Sequence, residues 1–182
     1  MCYNPSMSYI LMPLGNPGRE YEGTRHNTGK IVNDLIKGKI DPQNFKILDS
    51  PEFMNNSGRA ASRTIKSKKA AEKLIVVHDD LDLPLGTFKV SFDRGPGGHR
   101  GVASVIRALK TEAFIRVRVG VSPVTPSGKL RKPKGEKAVL DFILGKFKPK
   151  ELEVLKKVSK KIGEAVSLIV SNGREAAQSK FN

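Results

Sequence analysis

Apolar positions along this chain fall into short runs broken by dense turn signals, and the runs switch between strand and helix periods. Residues 9–14 form a continuous apolar run, which predicts a buried strand. It stops at Gly15-Asn16-Pro17-Gly18, a cluster of turn formers. Helical spacing follows, with Ile31, Val32, Leu35 and Ile36 on one face of a helix predicted over 27–37 and ended by Gly38. Residues 45–48 are a short strand candidate. A polar loop over 50–58 then leads into a helix predicted over 59–67, capped by Asn56 or Ser57. Residues 74–78, Leu-Ile-Val-Val-His, are apolar on both faces, which predicts a central strand covered by helices.

A carboxylate-rich turn over 79–86 separates that strand from an alternating one at 87–92, and the short connection suggests an antiparallel pair. The glycine-rich stretch 93–101 precedes a helix with Val102, Val105, Ile106 and Leu109 at core spacing. Residues 115–121 alternate as a strand with Arg116 and Arg118 on one face. Residues 122–137 have the composition of a mobile loop. A short helix is predicted over 137–143. A long amphipathic one follows over 151–170, with Leu152, Leu155, Val158, Ile162, Val166 and Ile169 inward. Gly173 ends it, and Arg174–Phe181 adds one or two further helical turns. Strands alternating with helices predict an α/β fold. The expected architecture is a single domain over 1–182, a three-layer sandwich whose central twisted sheet is mixed, mostly parallel and flanked by helices.

Charge narrows the class. The 182 residues carry 33 Lys and Arg against 18 Asp and Glu, a net +15 that points to a polyanionic partner. The charge is clustered: residues 129–161 hold 12 Lys/Arg and 4 Asp/Glu, a net +8. Aromatics make up only 6% of the chain, so phosphate contacts rather than base stacking should dominate, with strong salt dependence. Cys2 stands alone, which excludes an intrachain disulfide and a thiolate metal site. The three histidines show no helical ligand spacing, so a structural zinc is not expected. No apolar run reaches the ~18–20 residues of a membrane span, and there is no secretory leader pattern. A cytoplasmic monomer is the expectation.

The candidate chemistry sits between strand ends and helix starts, where α/β sheets build their sites. His26 follows the first strand, with Asn16, Arg25 and Asn27 around it; Asn27 is placed to cap the next helix. Asp79, Asp80 and Asp82 follow the strongest strand, and any of them could hold one ring nitrogen of His26 so that the other acts as a general base. No Ser lies in a Gly-x-Ser-x-Gly elbow, so activation of water fits better than a protein nucleophile. Asn16 and Asn55, both in turns after apolar segments, can donate to a carbonyl or a developing oxyanion. Gly95-Pro96-Gly97-Gly98-His99-Arg100 has Arg where a dinucleotide fingerprint needs its last glycine, and no Gly-Lys-Ser/Thr follows. Its backbone N–H groups suit a phosphate or a closely approaching RNA strand.

Taken together, these blocks resemble the bacterial-type peptidyl-tRNA hydrolases. The matching stretches are Leu14-Gly-Asn-Pro-Gly18 with Tyr21, Thr24-Arg-His-Asn27, Phe53-Met-Asn55 with Ser57-Gly58, His78-Asp-Asp-Leu-Asp-Leu-Pro84 with Gly86, and Gly97-Gly-His99 with Gly101. Arg116-Val-Arg-Val-Gly120, the segment 139–147 and the closing Phe181-Asn182 also fit. The resemblance implies hydrolysis of the ester joining a peptide to the tRNA 3′ ribose, with the acceptor stem and 3′ end bound and no metal or cofactor. It assigns His26 as general base and selects Asp79, over Asp80 and Asp82, as its orienter. It makes Asn16 and Asn55 substrate- and water-positioning amides, lines the groove with Tyr21, Phe53 and Met54, and places His99 in the substrate-binding set. Arg100 stands where the family usually has Asn, also in that set, so that the amide contact is either lost or replaced by a charged one able to bind phosphate. The span from His26 to Asn55 is shorter than usual. The alternative function is a non-catalytic RNA-binding paralogue of the same fold; a hydrolase of another small ester is a third possibility.

Overall fold

The computed structural model describes residues 8–38, 40 and 45–182; Cys2 lies outside them. Five strands form one sheet: β1 (Tyr9–Pro13), β2 (Phe45–Ile47), β3 (Leu74–Pro84), β4 (Phe88–Phe92) and β5 (Ile115–Ser122). Their order is β2-β1-β3-β5-β4. All neighbours are parallel except β4, which runs antiparallel to β5. Helices cover both faces: α1 (Thr28–Ile36), α2 (Ser57–Thr64), α3 (Lys68–Ala71), α4 (Arg100–Leu109), α5 (Glu136–Leu144), α6 (Pro149–Asn172) and α7 (Arg174–Phe181). This is the three-layer α/β sandwich expected from the alternation of runs.

Two apolar layers result from strand alternation. Ile75 and Val77 of β3 face one way, with Val117 and Val119 of β5, and meet Val32 and Ile36 of α1 and Leu155, Ile162 and Ile169 of α6. Leu74 and Val76 face the other way with Met12 and Leu14, and meet Ala60 and Ala61 of α2 and Val102 and Val105 of α4. Gly29 sets how closely α1 approaches the sheet: a Cβ there would strike the backbone of Leu14 and Val77. That contact brings the start of α1 against the C-terminal ends of β1 and β3.

Several local expectations are corrected. The acidic stretch after His78 is not a turn but the continuation of β3 to Pro84; Asp79 and Asp80 lie in register with Val119 and Gly120 of β5. The antiparallel pair is therefore β4 with β5, which is inserted between β3 and β4. Asn27 occupies the position before α1 but makes no capping bond; its side chain is used elsewhere. The helix predicted over 59–67 starts at Ser57 and ends at Thr64, and α3, too short to show a period, was not predicted. Residues 122–137 hold a small hairpin, with Val124 bridged to Leu130 and the Thr125 amide donating to the Lys129 carbonyl.

At the sheet's edge, the Asn182 side chain pairs with β4 as a neighbouring strand would. The Val90 amide donates to Asn182 Oδ1, and Asn182 Nδ2 donates to the Val90 carbonyl, both at 2.8 Å. Phe181 packs against Phe88, and the Arg174 guanidinium lies 3.6 Å from the centre of the Phe92 ring. Among the described residues, no helix is long and apolar enough to cross a membrane.

Candidate active site

Close packing of α1 on β1 and β3 places the one-turn helix Arg25–Asn27 at the carboxyl ends of the central strands. His26 lies there, buried, with Nδ1 3.1 Å from both oxygens of Asp79. Asp80 is instead paired with Arg118 Nε at 2.6 Å, and Asp82 with Lys132 at 2.6 Å. Geometry thus distinguishes among three carboxylates that spacing left equivalent.

Asp79 has a second ring partner. His99 Nε2 is 3.0 Å from Asp79 Oδ1, and the His99 Nδ1 accepts the Val102 amide at the start of α4. A nitrogen that accepts a backbone N–H carries no proton, so the His99 proton is on Nε2 and is donated to Asp79. Burial alone would raise the Asp79 pKa, but the two facing rings, His99 and then His26, outweigh it and hold the carboxyl well below the usual range. An ionised Asp79 draws the His26 proton onto Nδ1. Nε2, with no hydrogen-bond partner among the described residues, is left facing the cleft.

The same three side chains have metal-ligand composition, with donor atoms within 4.8 Å of one another. The donor set does not fit a metal. Ligation by His99 Nε2 would need a proton on Nδ1, and that nitrogen already faces an N–H donor.

Asn16 is aimed by two sets of bonds. Its backbone amide donates to Asn27 Oδ1 at 2.8 Å, and Asn27 Nδ2 donates to the Asn16 carbonyl at 3.0 Å, which is where the expected cap went. The Met54 amide donates to Asn16 Oδ1 at 2.8 Å, so Nδ2 is the group Asn16 offers the cleft. The cleft has a volume of about 630 Å³, and the catalytic and substrate-binding set implied by the resemblance lines it: Asn16, Tyr21, His26, Phe53, Asn55, Asp79, His99 and Arg100. Phe53 is 50% exposed, with its ring edge-on to Tyr21 at 6.1 Å. Arg100 forms an exposed ion pair with Glu136 at 2.8 Å. Arg25, read from the sequence as part of this cluster, turns away into the α5–α6 junction.

Two contributors were missed. One is the wall formed by Val139, Leu140, Ile143 and Leu144 of α5; its signal was an apolar stripe on a short helix beside a polar loop. The other is His78. Its Nδ1–H donates to the Asp79 carbonyl at 2.8 Å, its ring packs against His99, and its Nε2 is buried with no partner among the described residues. Burial pushes the His78 pKa well below the usual imidazole value, with His99 adding to the shift. A depressed histidine pKa means that below about pH 6.5 the unfolded chain binds a proton the folded one refuses, so stability falls as pH drops. His78→Gln is expected to flatten that fall, by up to about 1.4 kcal/mol per pH unit below 6.5, in unfolding curves compared between pH 7.5 and 5.5.

The sequence profile described as "Peptidyl-tRNA hydrolase" matches residues 10–182. A peptidyl-tRNA hydrolase from Thermoanaerobacter sp. (strain X514) is 38% identical over a 193-residue alignment covering 96% of this chain and 99% of the relative. One from Aquifex aeolicus is 35% identical over 171 residues, 84% of each. The crystal structure of the peptidyl-tRNA hydrolase from Acinetobacter baumannii superposes with a TM-score of 0.80 at 25% identity, covering 100% of this chain and 97% of that one.

Proposed function

The chain belongs to the peptidyl-tRNA hydrolase family and is an enzyme of that class, and from that premise we infer that it cleaves the peptide–ribose ester of peptidyl-tRNA by base-activated water attack, with His26 as the base. The observation that carries this reading is the His26–Asp79 pair at 3.1 Å on the floor of an open cleft. Water held at His26 Nε2 gives up its proton as its oxygen attacks the ester carbonyl. Asp79 fixes the ring and stabilises the imidazolium that forms. The Asn16 Nδ2 and the Asn55 amide donate to the developing oxyanion and to the attacking water. As the tetrahedral intermediate collapses, the 3′ ribose oxygen leaves with the proton returned by His26, giving a free tRNA and a peptide acid. His99 keeps Asp79 ionised and oriented. Tyr21 and Phe53 offer faces to the 3′ end and the peptide. The whole chain acts as one catalytic domain.

Release of deacylated tRNA from a peptidyl-tRNA tests the reading. Turnover that falls with salt and with removal of the tRNA body is expected. RNA affinity without turnover would replace it by a binding role, and salt-insensitive cleavage of simple esters by a different substrate. Arg100 makes a finer test. Its ion pair with Glu136 has 64% and 84% of the two side chains exposed, so it holds Arg100 weakly and leaves it free to take a phosphate. Arg100→Asn is expected to lower the salt slope of tRNA binding by about one ion. An unchanged slope would show that Arg100 stays with Glu136.

A further inference from the structure

We propose that Arg25 is a positioning residue for the reaction: it clamps the cleft wall α5 to the segment that carries His26, so that base and peptide-facing surface keep one separation. The proposal rests on the reading that the ester is cleaved in this cleft.

The need for a clamp follows from α5 itself. None of its nine residues is buried, and Leu140 and Leu144, which line the cleft, are 40% and 37% exposed. Apart from Phe142, which packs against the core, burial does little to fix this helix. At its start, among the described residues, its side chains make one tether, the exposed and weak Arg100–Glu136 pair. At its end it has Arg25. The Arg25 Nη1 donates to the carbonyls of Gly145 at 3.1 Å and Lys146 at 3.2 Å, with that of Phe142 at 3.5 Å. Its Nη2 donates to both oxygens of Glu151, at 3.0 and 2.8 Å. The Arg25 amide also donates to Gly145, and the Phe142 and Phe147 rings lie 4.4 and 5.3 Å from the guanidinium carbon.

A cation at a helix C-terminus meets unpaired carbonyls and the negative end of the dipole. Here the same planar group also grips Glu151 in the first turn of α6, which in turn accepts the Lys148 amide at 2.7 Å. Lysine, a point charge on a flexible stem, cannot serve the carbonyls and both carboxylate oxygens together. His26 has its own holder in Asp79; the chain just after α5 is tied to the Gly23–Arg25 segment by backbone bonds, with Phe147 donating to Gly23, and the Arg25 side chain adds the contacts to the last carbonyls of α5 itself. Loosening Arg25 should therefore move the wall and spare the base.

The test measures kcat and KM for Arg25→Lys and Glu151→Gln on peptidyl-tRNAs whose esterified residue is either bulky and apolar or glycine. Arg25→Lys is expected to raise KM about tenfold for the apolar substrate, with kcat changed less than about threefold and a smaller rise for glycine. Glu151→Gln, which leaves the carbonyl bonds in place, should move KM the same way by less, and it carries the test if Arg25→Lys does not fold. In a Leu140→Ser/Leu144→Ser background the KM penalty should vanish, because the wall no longer offers the surface being positioned. A lower melting temperature with unchanged KM, a fall in kcat alone, or an undiminished penalty in that background would overturn the proposal. If His26→Ala turns over like the parent, the catalytic reading fails instead, and that variant is measured alongside.

Discussion

Replacing His26 by alanine is expected to slow release of tRNA from peptidyl-tRNA by ~10²–10⁴-fold in kcat, the range a positioned general base contributes. KM should change little, because the ring is buried and offers the cleft one nitrogen rather than a binding surface. Single-turnover hydrolysis under saturating enzyme separates the chemical step from binding and is the measurement of choice. Parent-like turnover would remove the imidazole from the mechanism altogether. The cavity left by the side chain is partly open to the cleft, so the protein should stay folded, and an unchanged unfolding transition would show that the loss is chemical.

Asp79→Asn is the second large effect, expected at about 10²-fold or more in kcat. It keeps the shape but disturbs two rings at once. The carboxylate now accepts from His26 Nδ1 and His99 Nε2. Both rings contact Oδ1, and His26 also contacts Oδ2; in the amide one of these oxygens becomes an N–H donor, so His26 Nδ1 meets a donor whichever way the amide is turned. The His99 proton is fixed by the Val102 amide on its other nitrogen, so His99 keeps the oxygen and the amide nitrogen turns toward His26. Accepting from that N–H moves the His26 proton to Nε2, so that the base faces water already protonated. The ¹⁵N shifts of the His26 ring would report the exchange of tautomers directly. Asp79→Ala is the control: it should cost activity through lost orientation without enforcing the wrong tautomer. Equal ring shifts in Asp79→Asn and the parent would overturn the account.

Long apolar runs made the sheet legible. Residues 74–78 announced the central strand because a run apolar on both faces belongs between helix layers, and Val77 and Val76 do meet opposite layers. The continuation of β3 was hidden because Asp79 to Asp82 reads as a turn when only polarity is counted; its pairing partner, β5, lies almost 40 residues on, outside any local pattern. The same distance hid the insertion of β5 between β3 and β4. Each site residue was visible as a type in a suggestive place, but His26, Asp79 and His99 meet only through strand order. Asn27 shows the limit of capping rules: a side chain placed to cap its own helix is taken by the Asn16 backbone, which offers it two bonds instead of one. Arg25 escaped because a charged residue beside a reactive one looks like chemistry, whereas its partners lie more than 115 residues away at a helix end.

The pairing of Asn182 with Val90 bears on what the edge of the sheet offers to another chain. β4 is an outermost strand, and an outermost strand with free amides and carbonyls is a template on which a second chain can grow. One carboxamide satisfies both outward groups of Val90, while Phe181 and Arg174 cover the rings to either side. The Asn182 carboxamide thus fills the hydrogen-bonding positions that a neighbouring strand would take at Val90, with Gln178 Nε2 donating to the same carbonyl.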